Sequence, residues 1–163
     1  MGTNTANTDL SFRHAKASDI PVLNQISAAS KAYWGYPEEW LQRWQPDLMV
    51  NAEHLTENTV FVIQVGDRLI GFCSIAEEAS FYEVLHLWVL PEFIGKGMGK
   101  SLLQHSLKQT VKLPKMIRVE ADPNAAPFYE SQGFETFDRV ESYPKGRFLP
   151  VMRKFVQTNQ MSQ

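Results

Sequence analysis

Residues 87–100 read Leu-Trp-Val-Leu-Pro-Glu-Phe-Ile-Gly-Lys-Gly-Met-Gly-Lys, an apolar run followed by a turn with three alternating glycines. The residues that follow predict an amphipathic helix, so the turn joins a strand to a helix. Glycine has no Cβ, and backbone N–H groups can therefore point into such a turn. The helix N-terminus adds unpaired N–H donors and a partial positive charge. Together with Lys96 and Lys100, this pattern predicts a site for an anion such as a pyrophosphate.

Two nucleotide-binding motifs do not match this turn. Gly99-Lys100-Ser101 resembles the end of a P-loop, but that motif needs a glycine where the chain has Ile94. The dinucleotide fingerprint would need its third glycine at the position of Lys100 or Leu102. A tight strand-to-helix turn without a ligand is the structural alternative.

The turn resembles the pyrophosphate loop of the GCN5-related N-acetyltransferases, which use acetyl-coenzyme A. Two glycines of the family pattern match Gly97 and Gly99, and Ile94 stands where the pattern has a polar residue. A second stretch, Asn124–Phe134, resembles the later motif of the same family. The two motifs occur in the expected order, and the resemblance covers roughly residues 10–155.

The resemblance implies a fold and an activity. The expected fold is a single α+β domain with a mixed, mostly antiparallel sheet of six or seven strands, splayed fourth and fifth strands and about four flanking helices. The expected activity is transfer of an acetyl group from acetyl-coenzyme A to a primary amine of a small molecule or peptide, by direct attack in a ternary complex. The alternatives are a non-catalytic acyl-coenzyme A-binding regulatory module and a nucleotide-binding protein. The acceptor, and the use of other acyl groups, stay open.

The resemblance also implies a cofactor site. The backbone of the strand would pair with the pantetheine arm, the glycine turn would hold the pyrophosphate, and the later motif would lie beside the arm. The residues concerned are Leu87, Trp88, Val89, Gly95, Lys96, Gly97, Met98, Gly99, Lys100, Asn124 and Phe128. Asn124 is also predicted to cap the short helix that follows it.

Tyr129 is the predicted catalytic residue, because the matching tyrosine of the family lies beside the thioester sulfur. A tyrosine has a pKa of about 10 and a thiol of about 8.5, so full proton transfer to the leaving thiolate is uphill. We therefore expect Tyr129 to donate a hydrogen bond that strengthens as charge develops on sulfur. An aromatic core residue is the structural alternative.

An alkyl amine with a pKa of about 10.4 must lose a proton before it attacks. Glu83 is the preferred base, and His86, Glu120 or a water molecule are the alternatives. A carboxylate accepts this proton well only if burial raises its pKa or a water relays the proton. Strand alternation places His86 on the opposite face from Glu83.

The link between the first two predicted helices commonly lines the acceptor pocket in this family. Trp34 and Tyr36 lie in this link and are the predicted acceptor-binding wall, although both could equally be core residues. Arg147 is a further candidate for contact with an acidic acceptor.

The residue patterns predict the elements in chain order. An apolar stripe at Val22, Ile26, Ala29 and Tyr33 predicts the first helix. Pro150 predicts an edge or a bulge in the last strand. The predicted strands are Leu10–Lys16, Thr59–Val65, Arg68–Ile75, Phe81–Leu90, Lys115–Ala121, Phe134–Asp138 and Arg147–Phe155, and the later helices are Glu38–Leu48, Gly97–Lys112 and a short one ending at Gly133.

Composition limits the remaining classes of protein. The chain has 163 residues and a net charge of −2, so it lacks a global basic field for binding nucleic acid. Its one cysteine, Cys73, cannot form an internal disulfide. We expect polar tails at 1–9 and 157–163, a domain at 10–156, no metal site, no membrane contact and a cytoplasmic location. A homodimer is compatible with the 12% aromatic content.

Overall fold

The computed structural model describes residues 9–112 and 114–156. The predicted tails, 1–9 and 157–163, lie outside the described residues except for Asp9.

Within the described residues, one seven-stranded sheet has the order β1-β2-β3-β4-β5-β7-β6. All neighbouring strands are antiparallel except β4 and β5, which are parallel. The mixed, mostly antiparallel sheet of the α+β prediction is therefore confirmed. The strands are β1 Leu10–His14, β2 Thr59–Val65, β3 Arg68–Glu77, β4 Phe81–Val89, β5 Lys115–Glu120, β6 Glu135–Glu141 and β7 Phe148–Val156.

Five α-helices lie in the described part of the chain, one more than expected. The additional helix is α3, which Asn51 caps by accepting a hydrogen bond from the backbone N–H of His54 at 2.8 Å. None of the described helices is long and apolar enough to cross a lipid bilayer. The helices are α1 Ile20–Ala32, α2 Glu38–Leu48, α3 Ala52–Glu57, α4 Met98–Thr110 and α5 Ala126–Ser131.

Two apolar clusters cover the two faces of the sheet. On one face, Leu102, Leu103 and Leu107 of α4 pack with Tyr129 and Phe134. On the other face, residues of α1 and the strands form a smaller cluster, made of Leu23, Ile26, Val50, Val60, Val62 and Phe72. Helices on both faces keep the centre of the sheet dry.

The parallel pair β4–β5 opens along its length. Phe81–Val84 of β4 pair with Met116–Val119 of β5, and no β5 pairing continues along the rest of β4 within the described residues. On its other side, β4 stays paired with β3 as far as Val89. The predicted splay of the fourth and fifth strands is confirmed, and it leaves one edge of Leu85–Val89 open.

A bulge in β4 changes which side chains share a face. Ser74 of β3 pairs with His86 and Ile75 pairs with Val84, so Leu85 is an extra residue. The extra residue reverses the alternation and puts His86 on the same face as Glu83. The prediction of opposite faces is wrong, because it assumed an unbroken period of two.

The apolar stripe at Val22, Ile26, Ala29 and Tyr33 correctly predicts the helix α1, but of these four residues only Ile26 is buried. Val22 and Tyr33 are exposed, whereas Leu23, Ile26 and three polar residues are buried, namely Ser27, Ser30 and Lys31. The hydroxyl of Ser27 donates to the carbonyl of Leu48 at 2.9 Å and that of Ser30 to the carbonyl of Val89 at 2.7 Å. Because these hydrogen bonds offset the cost of burial, polar residues occupy the buried face.

The expectation that Pro150 marks an edge strand is wrong, since β7 lies between β5 and β6. Pro150 lies one residue beyond the last β5–β7 pair, Glu120 with Val151, and its carbonyl still accepts the N–H of Ala121 at 2.9 Å. The proline is tolerated because the β5–β7 ladder ends there, although the β6–β7 ladder continues past it to Phe148. A bulge does occur nearby, in β6 between Thr136 and Asp138.

Gly71 provides a test of the packing behind the open edge of β4. A Cβ at Gly71 would lie 2.6 Å from the carbonyl oxygen of Trp88, whereas a Cβ at Gly99 would lie 3.6 Å from the Phe128 ring. We expect Gly71→Ala to lower the free energy of unfolding by about 1–3 kcal/mol through overpacking. Gly99→Ala, the matched control, should leave the melting temperature unchanged or raise it. Equal melting temperatures in calorimetry would contradict this account.

Candidate functional site

The glycine turn has the backbone shape that its sequence predicts. Gly95 and Gly97 have φ angles of +82° and +80°, a region in which L side chains are strained. The backbone hydrogen bonds of α4 begin at Ser101, whose amide donates to the carbonyl of Gly97 at 3.1 Å. The amides of Met98, Gly99 and Lys100 therefore have no intrahelical acceptor and can bind an anion.

A cleft of about 460 Å³ lies in front of this turn, between the open edge of β4 and α5. We call it the glycine-loop cleft. Most of the predicted cofactor residues line it, together with Trp34, which was predicted for the acceptor wall. The lining residues named by the sequence analysis are Leu87, Trp88, Val89, Ile94, Gly95, Gly97, Gly99, Lys100, Asn124, Phe128 and Tyr129.

Two predicted cofactor residues do not line the cleft. The Lys96 ammonium lies 5.7 Å from the centre of the Phe93 ring, and Met98 packs against the apolar core. Their backbone belongs to the turn, but their side chains do not lie along the cleft.

A second cavity, of about 200 Å³, lies at the splay of β4 and β5. We call it the β4–β5 cavity. Its lining includes His86, Glu120 and Arg147 but neither Glu83 nor Tyr36. It shares five lining residues with the glycine-loop cleft, namely Leu87, Trp88, Asp122, Ala125 and Tyr129. The two spaces thus meet at the open edge of β4.

Tyr129 lies where the two spaces meet. Its side chain is almost fully buried, and its ring packs edge-on against Phe128 and Phe134, with centroids 5.2 and 5.4 Å away. Burial raises the pKa of Tyr129, and nearby Cys73 adds to this shift. The hydroxyl therefore keeps its proton at neutral pH and can act as a hydrogen-bond donor.

Glu83 does not reach the cavity directly. Arg118 donates to its carboxylate at 2.6 Å and to that of Glu120 at 3.1 Å. Burial raises the pKa of Glu83, although the hydrogen bond and charge of Arg118 act in the opposite direction. The three side chains form a chain in which only Glu120 lines the cavity.

His86 is held as a neutral ring. Burial lowers its pKa to about 4, with a smaller contribution from His54. The indole N–H of Trp88 donates to Nδ1 of His86 at 3.0 Å. Because an indole can only donate, Nδ1 carries no proton and its lone pair is occupied. In this arrangement His86 has no free nitrogen with which to accept a proton from an amine.

A buried ionic cluster borders the cavity, and two of its members, Lys31 and Asp122, were not predicted from the sequence. Asp122 accepts from the ammonium of Lys31 at 2.5 Å and lies 3.0 Å from the hydroxyl of Tyr36. The guanidinium of Arg147 lies 3.6 Å from the same carboxylate, and its Cζ is 4.5 Å from the centre of the Trp44 ring. Burial alone would raise the pKa of Asp122, but the hydrogen bond and charge of Lys31 hold it below its ordinary value.

Asn124 does not cap the helix as predicted. Within the described residues, no side chain caps α5, which follows Ala125. Asp122 instead caps the 3₁₀ turn Pro123–Ala125 that leads into α5, by accepting from the backbone N–H of Asn124 at 2.8 Å. The side chain of Asn124 donates to the hydroxyl of Tyr36 at 2.9 Å and lines the glycine-loop cleft. The Asp122-Pro123 dipeptide could have predicted this cap from the sequence, because an aspartate before a proline at the first helical position is typical of a helix start.

Comparisons with known proteins agree with this architecture. Residues 21–154 match the family model described as "Acetyltransferase (GNAT) domain". The peptidyl-lysine N-acetyltransferase YiaC of Escherichia coli (strain K12) is 27% identical over 128 residues, covering 78% of this chain and 84% of YiaC. The uncharacterized N-acetyltransferase YafP of the same strain is 31% identical over 119 residues, covering 72% of this chain and 65% of YafP.

A solved structure shows the same fold. The PaiA N-acetyltransferase from Thermoplasma acidophilum, in complex with coenzyme A, superimposes with a TM-score of 0.73 at 21% identity. The match covers 91% of this chain and 100% of PaiA.

The ionic cluster predicts a specific stability effect. We expect Asp122→Asn to lower the free energy of unfolding at pH 7 by about 3–5 kcal/mol, because Lys31 and Arg147 lose their buried counter-ion. Since the folded-state pKa of Asp122 is lowered, its contribution is present above its unfolded pKa of about 3.9 and is lost as pH falls through the folded value. Denaturation from pH 7 to pH 2 checks both expectations.

The exposed pair Arg68–Glu92 offers a matched control. Glu92→Gln should change stability little, because solvent screens this ion pair. If Asp122→Asn were as stable as Glu92→Gln at every pH, the buried cluster would not stabilise the site.

Proposed function

The chain belongs to the GNAT acetyltransferase family, and we propose that it transfers an acetyl group from acetyl-coenzyme A to a primary amine within a ternary complex. The observation that carries this proposal is the meeting of two spaces at Tyr129, on the open edge of β4. A cofactor thioester and an acceptor amine can enter from different sides and meet there.

The glycine-loop cleft fits coenzyme A. A Cβ at Gly95 or Gly97 would fall in open space, so these residues leave room for a pyrophosphate against the backbone amides. Lys100 lines the cleft and adds positive charge. The open edge of Leu87–Val89 offers backbone groups to the pantetheine amides, as an added strand would. Ser30 already donates to the Val89 carbonyl at 2.7 Å and fixes this end of the edge.

Acetyl-coenzyme A supplies the acetyl group as a thioester: the bond from the amine nitrogen to the carbonyl carbon forms and the carbon–sulfur bond breaks. Tyr129 lines both spaces and donates a hydrogen bond to the sulfur as negative charge develops. Its raised pKa makes complete proton transfer less favourable than partial donation. The residue acts as a donor throughout the step.

We propose that the proton lost by the amine reaches Glu83 through water that extends from the β4–β5 cavity past Glu120, the cavity-lining residue that shares Arg118 with Glu83. The raised pKa of Glu83 makes it a better proton acceptor than an ordinary carboxylate. Arg118 joins Glu83 to Glu120, which lines the cavity, so charge at the cavity wall is coupled to Glu83.

The relatives suggest the kind of acceptor at the coarsest level. YiaC is named as a peptidyl-lysine N-acetyltransferase. From this name we take only the reacting group. We propose that the acceptor of this chain is also a primary amine, on a small molecule or a peptide.

Tyr129→Phe tests the donor. The variant keeps the ring packing and removes the hydroxyl, so turnover should fall by roughly 100-fold, as for the loss of one preorganised donor. The dissociation constant of coenzyme A should stay within about threefold, since the hydroxyl acts mainly in the transition state. Steady-state kinetics and calorimetry measure the two quantities. Unchanged turnover would remove Tyr129 from the mechanism.

Glu83→Gln tests the base, with Glu120→Gln as its matched control on the same arginine. We expect Glu83→Gln to abolish the acidic limb of the plot of kcat/KM against pH and to lower the plateau, because the carboxylate that accepts the proton is gone. Glu120→Gln should keep the limb. A profile that is unchanged in Glu83→Gln, or lost only in Glu120→Gln, rules out Glu83.

A further inference from the structure

Arg147 has more hydrogen-bond donors than the protein uses. A guanidinium has five N–H donors. Within the described residues, one donates to the hydroxyl of Tyr36 at 3.0 Å and one to the hydroxyl of Ser142 at 3.2 Å. The Arg147 side chain is only 12% exposed, and within the described residues the remaining three donors have no acceptor at hydrogen-bond distance. Buried donors without an acceptor are costly, and a ligand that supplies acceptors removes this cost.

The position of these donors suits binding of the acceptor rather than of coenzyme A. Arg147 lines the β4–β5 cavity and does not line the glycine-loop cleft. The same is true of Lys31 and Trp44. A molecule that fills the cavity therefore contacts this group, while a molecule in the cleft does not.

The ionic cluster in the cavity lining has two cationic side chains and one carboxylate. Lys31 and Arg147 share a single carboxylate, Asp122, and all three side chains are at most 12% exposed. The other acidic groups of the lining do not balance this charge. Glu120 is bound by Arg118, and Asp47 is exposed to solvent.

The guanidinium packs against two aromatic rings and donates to two hydroxyl groups. Its Cζ lies 4.5 Å from the centre of the Trp44 ring and 5.1 Å from that of Tyr36. Trp44 is itself fixed, because its indole N–H donates to the carbonyl of Tyr143 at 3.1 Å. A planar, prearranged guanidinium suits a carboxylate, whose two oxygens accept parallel hydrogen bonds.

We propose that the acceptor is a small molecule that carries a carboxylate as well as its primary amine, an inference that rests on the proposed acetyl transfer. Arg147 binds the carboxylate, and Lys31 adds to the attraction. The amine then lies towards Tyr129, where the cavity meets the cleft. A lysine side chain within a peptide has no carboxylate of its own and would leave the donors of Arg147 unpaired.

Matched acceptors test the proposal. Release of coenzyme A is measured for free amino acids, for the corresponding amino acid carboxamides and for lysine-containing peptides. For the best free amino acid, kcat/KM should exceed that of its carboxamide by roughly 10- to 100-fold, the range expected for hydrogen bonds to a charged group. The comparison keeps the side chain and removes the negative charge that Arg147 would bind. Because a carboxamide also lowers the pKa of an α-amine, kcat/KM is calculated from the concentration of neutral amine for both acceptors.

Variants assign the preference to the residue. Arg147→Gln should reduce the ratio of acid to carboxamide to within about threefold, and Arg147→Lys should retain part of it because the charge remains. Arg153→Gln is the control, since Arg153 lies on β7 in an exposed pair with Glu135. It should keep the full ratio. The wild-type ratio tests the proposal even if Arg147→Gln does not fold.

The outcomes separate this proposal from the proposed function. Equal rates with acids and carboxamides, or acetylation of the peptides alone, would overturn the carboxylate and leave acetyl transfer standing. A ratio that survives in folded Arg147→Gln would also overturn it. If no amine releases coenzyme A, acetyl transfer itself fails, and the proposal falls with it.

Discussion

The early end of pairing between β4 and β5 is the constraint on which the site depends. Backbone N–H and C=O groups inside a protein need partners. β4 keeps its partners on the β3 side up to Val89, but its pairing with β5 ends at Val84. Within the described residues, the open edge is therefore a row of backbone polar groups without a partner strand. Both the glycine-loop cleft and the β4–β5 cavity border this edge, so one interruption of the sheet creates both spaces.

The two spaces of the site differ in the groups that they offer to a charged ligand. The glycine-loop cleft presents backbone amides and the end of a helix, which suit a diffuse anionic ester. The β4–β5 cavity presents side chains with fixed charge, centred on Asp122. That carboxylate also caps the turn that leads into α5, the helix carrying Tyr129. A single aspartate thus connects the ionic cluster with the position of the proposed hydrogen-bond donor.

Local features of the site could be predicted from the sequence. The glycine turn depends on backbone conformations that few other residues adopt, so Gly95 and Gly97 are informative by themselves. The start of α4 follows from this turn. The motif that contains Tyr129 is also local in sequence, because α5 is short and Gly133 follows its C-terminal end.

Contacts between distant parts of the chain could not be predicted in the same way. Lys31 and Asp122 are 91 positions apart, and no periodic pattern indicates that a lysine in α1 is buried against a carboxylate beyond β5. The bulge at Leu85 is equally hidden, because it depends on the register with β3. A one-residue shift was enough to bring His86 to the face of Glu83.

The most direct test of the account is to map the binding of coenzyme A onto the backbone amides by nuclear magnetic resonance. In ¹⁵N-labelled protein, the amides of Gly95, Gly97 and Gly99 and those of Leu87–Val89 should show the largest shifts on titration. Such shifts would place the pyrophosphate on the glycine turn and the pantetheine arm on the open edge of β4. No shifts, or shifts confined to β6 and β7, would contradict the account.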